Sequence, residues 1–132
     1  MHSYPHGTLV IVVDCADIDR AADFWAGVLG YHRPHARSGV YLMLIPPGGG
    51  VEILLQQVND TKTSKNRLHV DLRTPDLDAE VRRVVALGAT IITDQPLVEH
   101  DWTWHILADP DGNEFCILQP PEDFPWPNQP AD

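Results

Sequence analysis

The chain contains two copies of one sequence pattern. Residues 9–31 are LVIVVDCADIDRAADFWAGVLGY, and residues 68–89 are LHVDLRTPDLDAEVRRVVALGA. Each copy has a short apolar stretch, an acidic residue, an amphipathic stretch and a final Leu-Gly, and the corresponding acidic residues are Asp17 and Asp76. Self-similarity of this kind indicates a fold built from two copies of one supersecondary unit, here a strand followed by a helix.

The amphipathic stretch of each copy has the period of an α-helix with one apolar side. The apolar positions are Ile18, Ala21, Ala22, Trp25, Val28 and Leu29 in the first copy, and Leu77, Val81, Val84 and Val85 in the second. Asp17 is the predicted N-cap of the first helix and Gly30 its end. Either Thr74 or Asp76 caps the second helix, and Gly88 ends it. We expect each helix to pack one side against a sheet.

The remaining apolar stretches have the length and composition of strands. They follow the first helix at 40–45 and 51–58, and the second helix at 90–93, 102–107 and 114–119. The last two are separated by DPDGN, whose Asp-Gly pair is a strong hairpin signal. Each copy is therefore predicted to be β-α-β-β-β. The predicted fold class is α+β, with eight strands and two helices.

A chain of 132 residues is expected to form a single domain. Its predicted parts are a first module over 8–58, a second module over 67–120 and a proline-rich tail over 121–132. From residue 120 onward the sequence PPEDFPWPNQPAD has five prolines and cannot add a central strand. The tail is either an extended arm held to the body by Phe124 and Trp126 or a mobile segment, and the sequence leaves both open.

Composition excludes several classes of function. The formal net charge is −10, so most of the surface repels a polyanion, and we expect no nucleic-acid partner. No apolar run is long enough to cross a membrane, and the first residues lack the pattern of a signal peptide, so we expect a cytoplasmic protein. Cys15 and Cys116 do not form a disulfide framework, and we expect each to be a small buried apolar residue.

The paired modules resemble the vicinal oxygen chelate superfamily, which includes glyoxalase I, bleomycin-resistance proteins, fosfomycin-resistance enzymes and extradiol dioxygenases. The motifs that carry the resemblance are DxxxAxxFW…LG in the first helix, NRLH-DL before the second helix and the final DPDGNEFC. The resemblance covers about residues 8–120 and is closest to the bacterial glyoxalase-like proteins. It implies a cupped, half-barrel mixed sheet with the helices on the convex side. It also implies a homodimer.

The resemblance allows a metal site to be tested position by position. In the superfamily a divalent metal, where one is used, is bound from the first and last strands of each module. The corresponding positions are His69 in the second module, Val10 in the first, and Cys116 where the family has glutamate. Glu52 and Gln56 are the candidates in the last strand of the first module. With His69 as the one good ligand and Glu52 as a further candidate, we expect no complete catalytic metal site, although a divalent metal remains an alternative.

The resemblance and the strand pattern together predict the residues that line the cup. Because Leu68, Val70 and Leu72 alternate with polar residues, we expect them to face the helices and the polar residues to face the cup. The predicted ligand-binding residues are Gln56, Arg67, His69, Asp71, Trp102, Trp104 and Cys116. The two tryptophans share one strand face and either stack on a ligand or cover the core or a dimer interface. His69 is either a site residue or a solvated strand residue.

Three functions follow as hypotheses. The first is a protein that binds a small organic ligand in the cup without a metal. The second is an enzyme, a lyase, isomerase or dioxygenase, in which His69 acts as metal ligand or general base. The third is an interaction module whose cup is filled by its own side chains. The sequence does not identify the ligand or the reaction.

Overall fold

The structure is a computed structural model and describes residues 3–126. The elements are β1 (Val10–Cys15), α1 (Ile18–Leu29), β2 (Tyr41–Leu44), β3 (Glu52–Gln57), β4 (Asp71–Arg73), α2 (Leu77–Ala86), β5 (Thr90–Ile91), β6 (Leu97–Glu99), β7 (Trp102–Ala108) and β8 (Glu114–Gln119). The α+β class with two helices and eight strands is confirmed. No helix in this part of the chain has the length and apolar character needed to cross a lipid bilayer.

The strands form two mixed sheets that do not close into a barrel. The first sheet has the order β1-β3-β2, with β1 parallel and β2 antiparallel to β3. The second has the order β4-β8-β7-β5, with β6 also pairing with β7. There β4 is parallel to β8, and the other pairs are antiparallel. Across the described residues β1 pairs with β3 alone and β4 with β8 alone, so β1 and β4 are edge strands of their sheets.

Local sequence signals explain where both helices begin and end. The side chain of Asp17 accepts hydrogen bonds from the backbone N–H groups of Asp19 and Arg20, and α1 ends at Gly30 in the left-handed conformation with φ 69°. Of the two candidate caps for α2, Asp76 is the N-cap, since its side chain accepts from the N–H of Ala79. The C-cap of α2 is Leu87, one residue before the predicted stop at Gly88.

The hydrophobic core lies between the helices and the sheets. α1 packs on β2 and β3, and α2 packs on β7 and β8. Most residues of the two apolar stripes are buried, but Val85 is exposed and Leu29 is only partly buried. They pack against strand residues that include Leu42, Leu44, Ile53, Leu55, Leu107, Phe115 and Ile117. The other face of each sheet carries no helix and is called here the helix-free face.

Several predicted strand bounds are wrong. The first half of the chain has three strands and the second has five, not four in each. The predicted strand over 90–93 is only Thr90–Ile91, and β6 (Leu97–Glu99) was not predicted. All three residues of β6 are exposed, so the segment lacks the alternation that marks a half-buried strand. The strand expected from residue 68 begins only at Asp71.

A buried carboxylate joins the two halves of the chain. Asp109, in the β7–β8 turn, is 3% exposed and accepts a hydrogen bond from the indole N–H of Trp25 on α1, at 3.0 Å. It also accepts from the backbone N–H groups of Asp111 and Asn113 and from the side-chain amide of Asn113. Burial raises the pKa of Asp109, and these hydrogen bonds oppose the rise. The DPDGN turn is therefore a structural contact between the halves.

Candidate functional site

An open apolar cleft lies between β1 and the segment 66–72 that leads into β4. Its volume is about 510 Å³. Its lining residues are Ile11, Val12, Val13, Asp14, Trp25, Leu29, Tyr31, Val51, Ile53, Asn66, Arg67, Leu68, Val70, Leu72, Asn113, Glu114 and Phe115. We call this feature the inter-sheet cleft. Its walls are mostly aliphatic and aromatic, and polar groups are few, which is the composition of a small-molecule pocket.

One wall of the inter-sheet cleft is a rigid part of the core. Trp25 and Phe115 are buried there, with ring centroids 5.1 Å apart in an edge-to-face arrangement. The hydroxyl of Tyr31 donates a hydrogen bond to the carbonyl of Val51 at 2.8 Å, and burial raises its pKa. Since this hydroxyl has a partner inside the protein, the ring contributes mainly apolar surface to the cleft.

The opposite wall is held in place by Glu114. This carboxylate accepts hydrogen bonds from Lys62 and from the backbone N–H of Asn66, each at 3.0 Å. The side-chain amide of Asn66 donates to the carbonyl of Glu114, also at 3.0 Å. The bond from Asn66 is the main cause that lowers the pKa of Glu114, and Lys62 adds to it. These contacts fix the course of the chain immediately before Arg67, Leu68 and Val70.

The face predictions for this segment are partly wrong. Val70 and Leu72 pack against the core, as expected. Leu68 does not face a helix: its side chain is 89% exposed and lines the mouth of the inter-sheet cleft. Of the predicted ligand-binding residues, Arg67 alone is among those that line this cleft. His69 is exposed, and its Nε2 lies 3.1 Å from Nζ of Lys65.

The other predicted site residues lie on the helix-free faces. Asp71 is paired with Cys116, and Trp104 is paired with Leu118, on the face opposite the buried Leu107 and Phe115. The tryptophans therefore do not fill the core. Burial and the nearby Asp71 raise the pKa of the Cys116 thiol, so it stays protonated at neutral pH. Gln56 lies on the first sheet, with its amide 3.5 Å from the hydroxyl of Tyr41.

The C-terminal arm, residues 120–126, contacts the five-stranded sheet. The ring of Phe124 lies 5.3 Å from that of Trp102 and 5.2 Å from that of Trp126, both edge to face. The guanidinium of Arg73 lies 5.2 Å from the ring centroid of Trp102 and 5.4 Å from that of Phe124. Of the two alternatives for the tail, the structure favours the held arm up to Trp126. Residues 127–132 lie outside the described range.

The metal site that the resemblance implies does not fit this chain. Val10 offers no ligand atom, and its neighbour across the ladder, Glu52, lies beside a small hollow with Pro46 and Gly50. Across residues 3–126 no three His, Cys, Asp or Glu side chains form a group able to hold a metal ion. The Lys65 ammonium beside His69 would also repel a cation. Glu52 lines that small hollow, and His69 does not.

A second, polar hollow of about 420 Å³ adjoins the inter-sheet cleft at Asp14, Asn66 and Asn113. The linker 58–66 forms most of its wall. Cys15 also lines it, and burial, followed by the charges of neighbouring aspartates, raises the pKa of that thiol to about 11. A thiol with such a pKa is uncharged at neutral pH and is a poor nucleophile.

The inter-sheet cleft was not predicted from the sequence. Its wall combines Trp25 from the first helix with Phe115 from the last strand, and no local pattern pairs them. The sequence carries no local signal that marks Leu68 as a cleft residue, because it continues the alternation of Val70 and Leu72.

Comparison with known proteins identifies relatives of this fold. The family model described as "Glyoxalase-like domain" matches residues 10–118. A search of curated protein sequences gives no significant match.

Among solved structures, a glyoxalase/bleomycin resistance protein/dioxygenase family enzyme from Burkholderia phytofirmans PsJN has a TM-score of 0.68 at 20% identity, covering 83% of this chain and 95% of that chain. The fosfomycin resistance protein FosX from Mesorhizobium loti has a TM-score of 0.67 at 16% identity, covering 88% and 93%. TnmS3, an antibiotic binding protein from Streptomyces sp. CB03234, has a TM-score of 0.64 at 26% identity, covering 90% and 99%.

Proposed function

The chain belongs to the glyoxalase-like domain family, and on that premise we propose that it binds a small organic molecule in the inter-sheet cleft. The observation that carries the proposal is the cleft itself. Its volume of about 510 Å³ falls within the range of roughly 300–1,000 Å³ that is usual for small-molecule sites. The buried residues Trp25 and Phe115 are among the lining residues of the cleft and add to its apolar character.

The relatives support binding as the function. TnmS3, which is described as an antibiotic binding protein, is similar to this chain over nearly its whole length. Binding and sequestration of a ligand require a shaped apolar site with a few polar anchors, and they require no reactive side chain. The two thiols, whose raised pKa keeps them protonated, are consistent with such a role.

We also propose that binding proceeds without a resident metal. The disagreement between the implied ligand positions and the residues present supports this, because Val10 replaces one ligand and Cys116 replaces another. The alternative, a lyase, isomerase or dioxygenase that uses His69, stays a prediction. Homodimer formation and a cytoplasmic location also stay predictions.

A neutral aromatic probe tests the proposal. N-phenyl-1-naphthylamine gains fluorescence in apolar sites, and its affinity can be compared between wild type, Leu68→Ser and Val98→Ser. Leu68 is 89% exposed and Val98 is 69% exposed, so neither substitution should unfold the protein. Only Leu68 lines the cleft. We expect Leu68→Ser to weaken binding about three- to tenfold through lost apolar contact, and Val98→Ser to leave it unchanged.

Two results would count against the cleft. The probe could fail to bind the folded wild-type protein, or the two serine variants could weaken it equally. Equal weakening would mean that the probe reports general surface apolarity instead of a defined site.

A further inference from the structure

We propose that the ligand of the inter-sheet cleft is an organic acid, with an apolar, ring-containing body inside the cleft and an anionic group bound by Arg67. This inference rests on the proposed function and names the ligand class for the same site. Arg67 would be the specificity-determining residue. The inference comes from the distribution of charge around the cleft.

The cations of this acidic protein are concentrated in the sequence segment that contains Arg67. The chain has nineteen acidic residues and nine Lys and Arg. Four of those nine, Lys62, Lys65, Arg67 and Arg73, fall within residues 62–73, where Asp71 is the single acidic residue. Lys62 is paired with Glu114, and Arg73 lies over aromatic rings, so the positive charge in the cleft lining is that of Arg67. On a protein of net charge −10 this charge would attract an anion that most of the surface would repel.

Arg67 has no carboxylate partner in the described structure, and it is the Lys or Arg residue that lines the cleft. Four other cations also lack such a partner among the described residues, but they lie outside the cleft lining: Arg37, Lys65, Arg73 and Arg82. Arg20, Arg33 and Arg83 each form an ion pair with a carboxylate. Within its own segment, Lys62 is paired with Glu114, Lys65 lies beside His69, and Arg73 lies over two aromatic rings.

The carboxylates near the cleft do not cancel this positive charge. Glu114 is compensated by Lys62 and by the N–H of Asn66. Asp14 lies on β1, on the wall opposite the segment that carries Arg67. Asp71 is paired across the ladder with Cys116, on the helix-free face, and is not among the lining residues. A bound anion would therefore orient its charge toward Arg67 and away from Asp14.

The chemistry of the arginine side chain fits this role. A guanidinium presents a planar fork of N–H donors that matches the oxygens of a carboxylate or sulfonate, and it remains charged at every physiological pH. The apolar body of the ligand would then lie toward Trp25 and Phe115, which are buried at the inner part of the same cleft. An amphipathic ligand of this type uses both features of the site.

A pair of matched probes tests the ligand class. 8-Anilinonaphthalene-1-sulfonate has the aromatic framework of N-phenyl-1-naphthylamine with an added sulfonate. Each probe is titrated into wild type, Arg67→Gln and Arg82→Gln. Arg82 is an exposed residue of α2 that does not line the cleft, so its substitution makes the same change in net charge. We expect Arg67→Gln to weaken the sulfonate probe about three- to tenfold and the neutral probe much less, whereas Arg82→Gln leaves the affinity for both probes unchanged.

Salt dependence is a second readout. In wild type the affinity for the sulfonate probe should fall between about 50 mM and about 500 mM NaCl, because the contact with Arg67 is partly exposed and is screened. In Arg67→Gln that fall should be much smaller.

The inference is overturned if Arg67→Gln and Arg82→Gln weaken the sulfonate probe equally, or if neither weakens it. When either result is accompanied by neutral-probe binding that depends on Leu68, cleft binding stands and only the ligand class is wrong. When the neutral probe does not depend on Leu68, the proposed function fails with it. Far-UV circular dichroism of each variant confirms that the comparison is made on folded protein.

Discussion

The two strands that begin the repeated pattern, β1 and β4, differ in length and in the extent of their pairing. β1 spans six residues, Val10–Cys15, and pairs along its whole length with β3. β4 spans only three residues, Asp71–Arg73, and pairs with β8. Val10 and His69 occupy corresponding positions in the two copies. Val10 lies in β1, whereas His69 lies outside any strand.

Contacts from outside the repeat account for the difference. The stretch Val10–Val13 is aliphatic and mostly β-branched, which suits a strand that pairs along its length. The corresponding part of the second copy is preceded by Asn66, which is bonded to Glu114 of β8. The chain joins the ladder only from Val70, whose carbonyl accepts from the N–H of Cys116. The inter-sheet cleft lies where the second copy does not extend as a strand beside β1.

The largest expected loss of stability comes from removing the Asp109 carboxylate, which joins the two halves of the chain. In Asp109→Ala, Trp25 and Asn113 lose a buried acceptor, and four donated hydrogen bonds are lost. We expect the free energy of unfolding to fall by about 3 kcal/mol or more, because buried donors are left without partners. Urea denaturation followed by fluorescence measures it.

The matched control for this change is Asp60→Ala, since Asp60 is an exposed linker residue. It should change the free energy of unfolding by less than about 0.5 kcal/mol. An equally small loss in Asp109→Ala would mean that the Trp25–Asp109 contact does not join the halves.

The next effect tests what holds the segment before β4. Glu114→Gln removes the charge that Lys62 and Asn66 contact, and we expect a loss of about 1 kcal/mol at neutral pH. The pKa of Glu114 is lowered below its ordinary value of 4.5 in the folded protein. Its stabilisation is therefore complete above pH 4.5 and is lost as pH falls through the folded-state pKa. The difference between wild type and Glu114→Gln should shrink correspondingly in acid.

Hydrogen exchange sharpens the same test. The N–H of Cys116, which donates to Val70 at the start of β4, should exchange faster in Glu114→Gln. Glu122→Gln is the control, because Glu122 is exposed. Unchanged exchange at Cys116 would show that Glu114 does not determine where β4 begins.

A comparable effect is expected at the C-terminal arm, which contacts the five-stranded sheet through Trp102 and Arg73. In Phe124→Ala the arm loses its contacts with Trp102 and Arg73. We expect a loss of about 1 kcal/mol and larger motion of residues 121–126 on the picosecond to nanosecond timescale. Heteronuclear NOEs of the backbone amides measure it, with β1 amides as the internal reference. Unchanged NOEs would mean that Phe124 does not hold the arm.

The smallest effect is expected at the repeated position itself. His69→Ala removes an exposed side chain, and we expect a change below about 0.5 kcal/mol in the free energy of unfolding. We expect metal content per chain, measured after incubation with zinc, nickel, iron or manganese, to be the same in wild type and in this variant. Near-stoichiometric metal that disappears in His69→Ala would restore the metalloenzyme alternative.

The parts of the fold that sequence predicts are those with local causes. Asp17, Asp76 and Gly30 act within a few residues of their helix ends, so the helix bounds follow from the sequence. The contact between Trp25 and Asp109 joins residues 84 positions apart, and no local pattern contains it. β6 was not predicted for a different reason. Its residues, including Val98, are exposed on both faces of the strand, so they show no alternation of apolar and polar residues.

The same limit applies to the candidate site. Arg67 was selected because it shares the strand parity of His69, and it does line the inter-sheet cleft. His69 and Asp71 were selected by strand alternation, but the strand begins too late for alternation to place Leu68 against a helix. The segment before the strand is hydrogen-bonded through Asn66 to Glu114, more than forty residues later in the chain. Site residues that depend on such distant contacts require the structure.

The central claim is that ligands bind between the sheets and not on their helix-free faces. A ¹H–¹³C methyl correlation experiment during titration with N-phenyl-1-naphthylamine tests it directly. The claim predicts the largest shifts at Ile11, Val70 and Leu72, which line the inter-sheet cleft. Leu54 and Leu118 lie on the helix-free faces, because they alternate along their strands with buried residues. Shifts at these two leucines without shifts at the cleft methyl groups would contradict the claim.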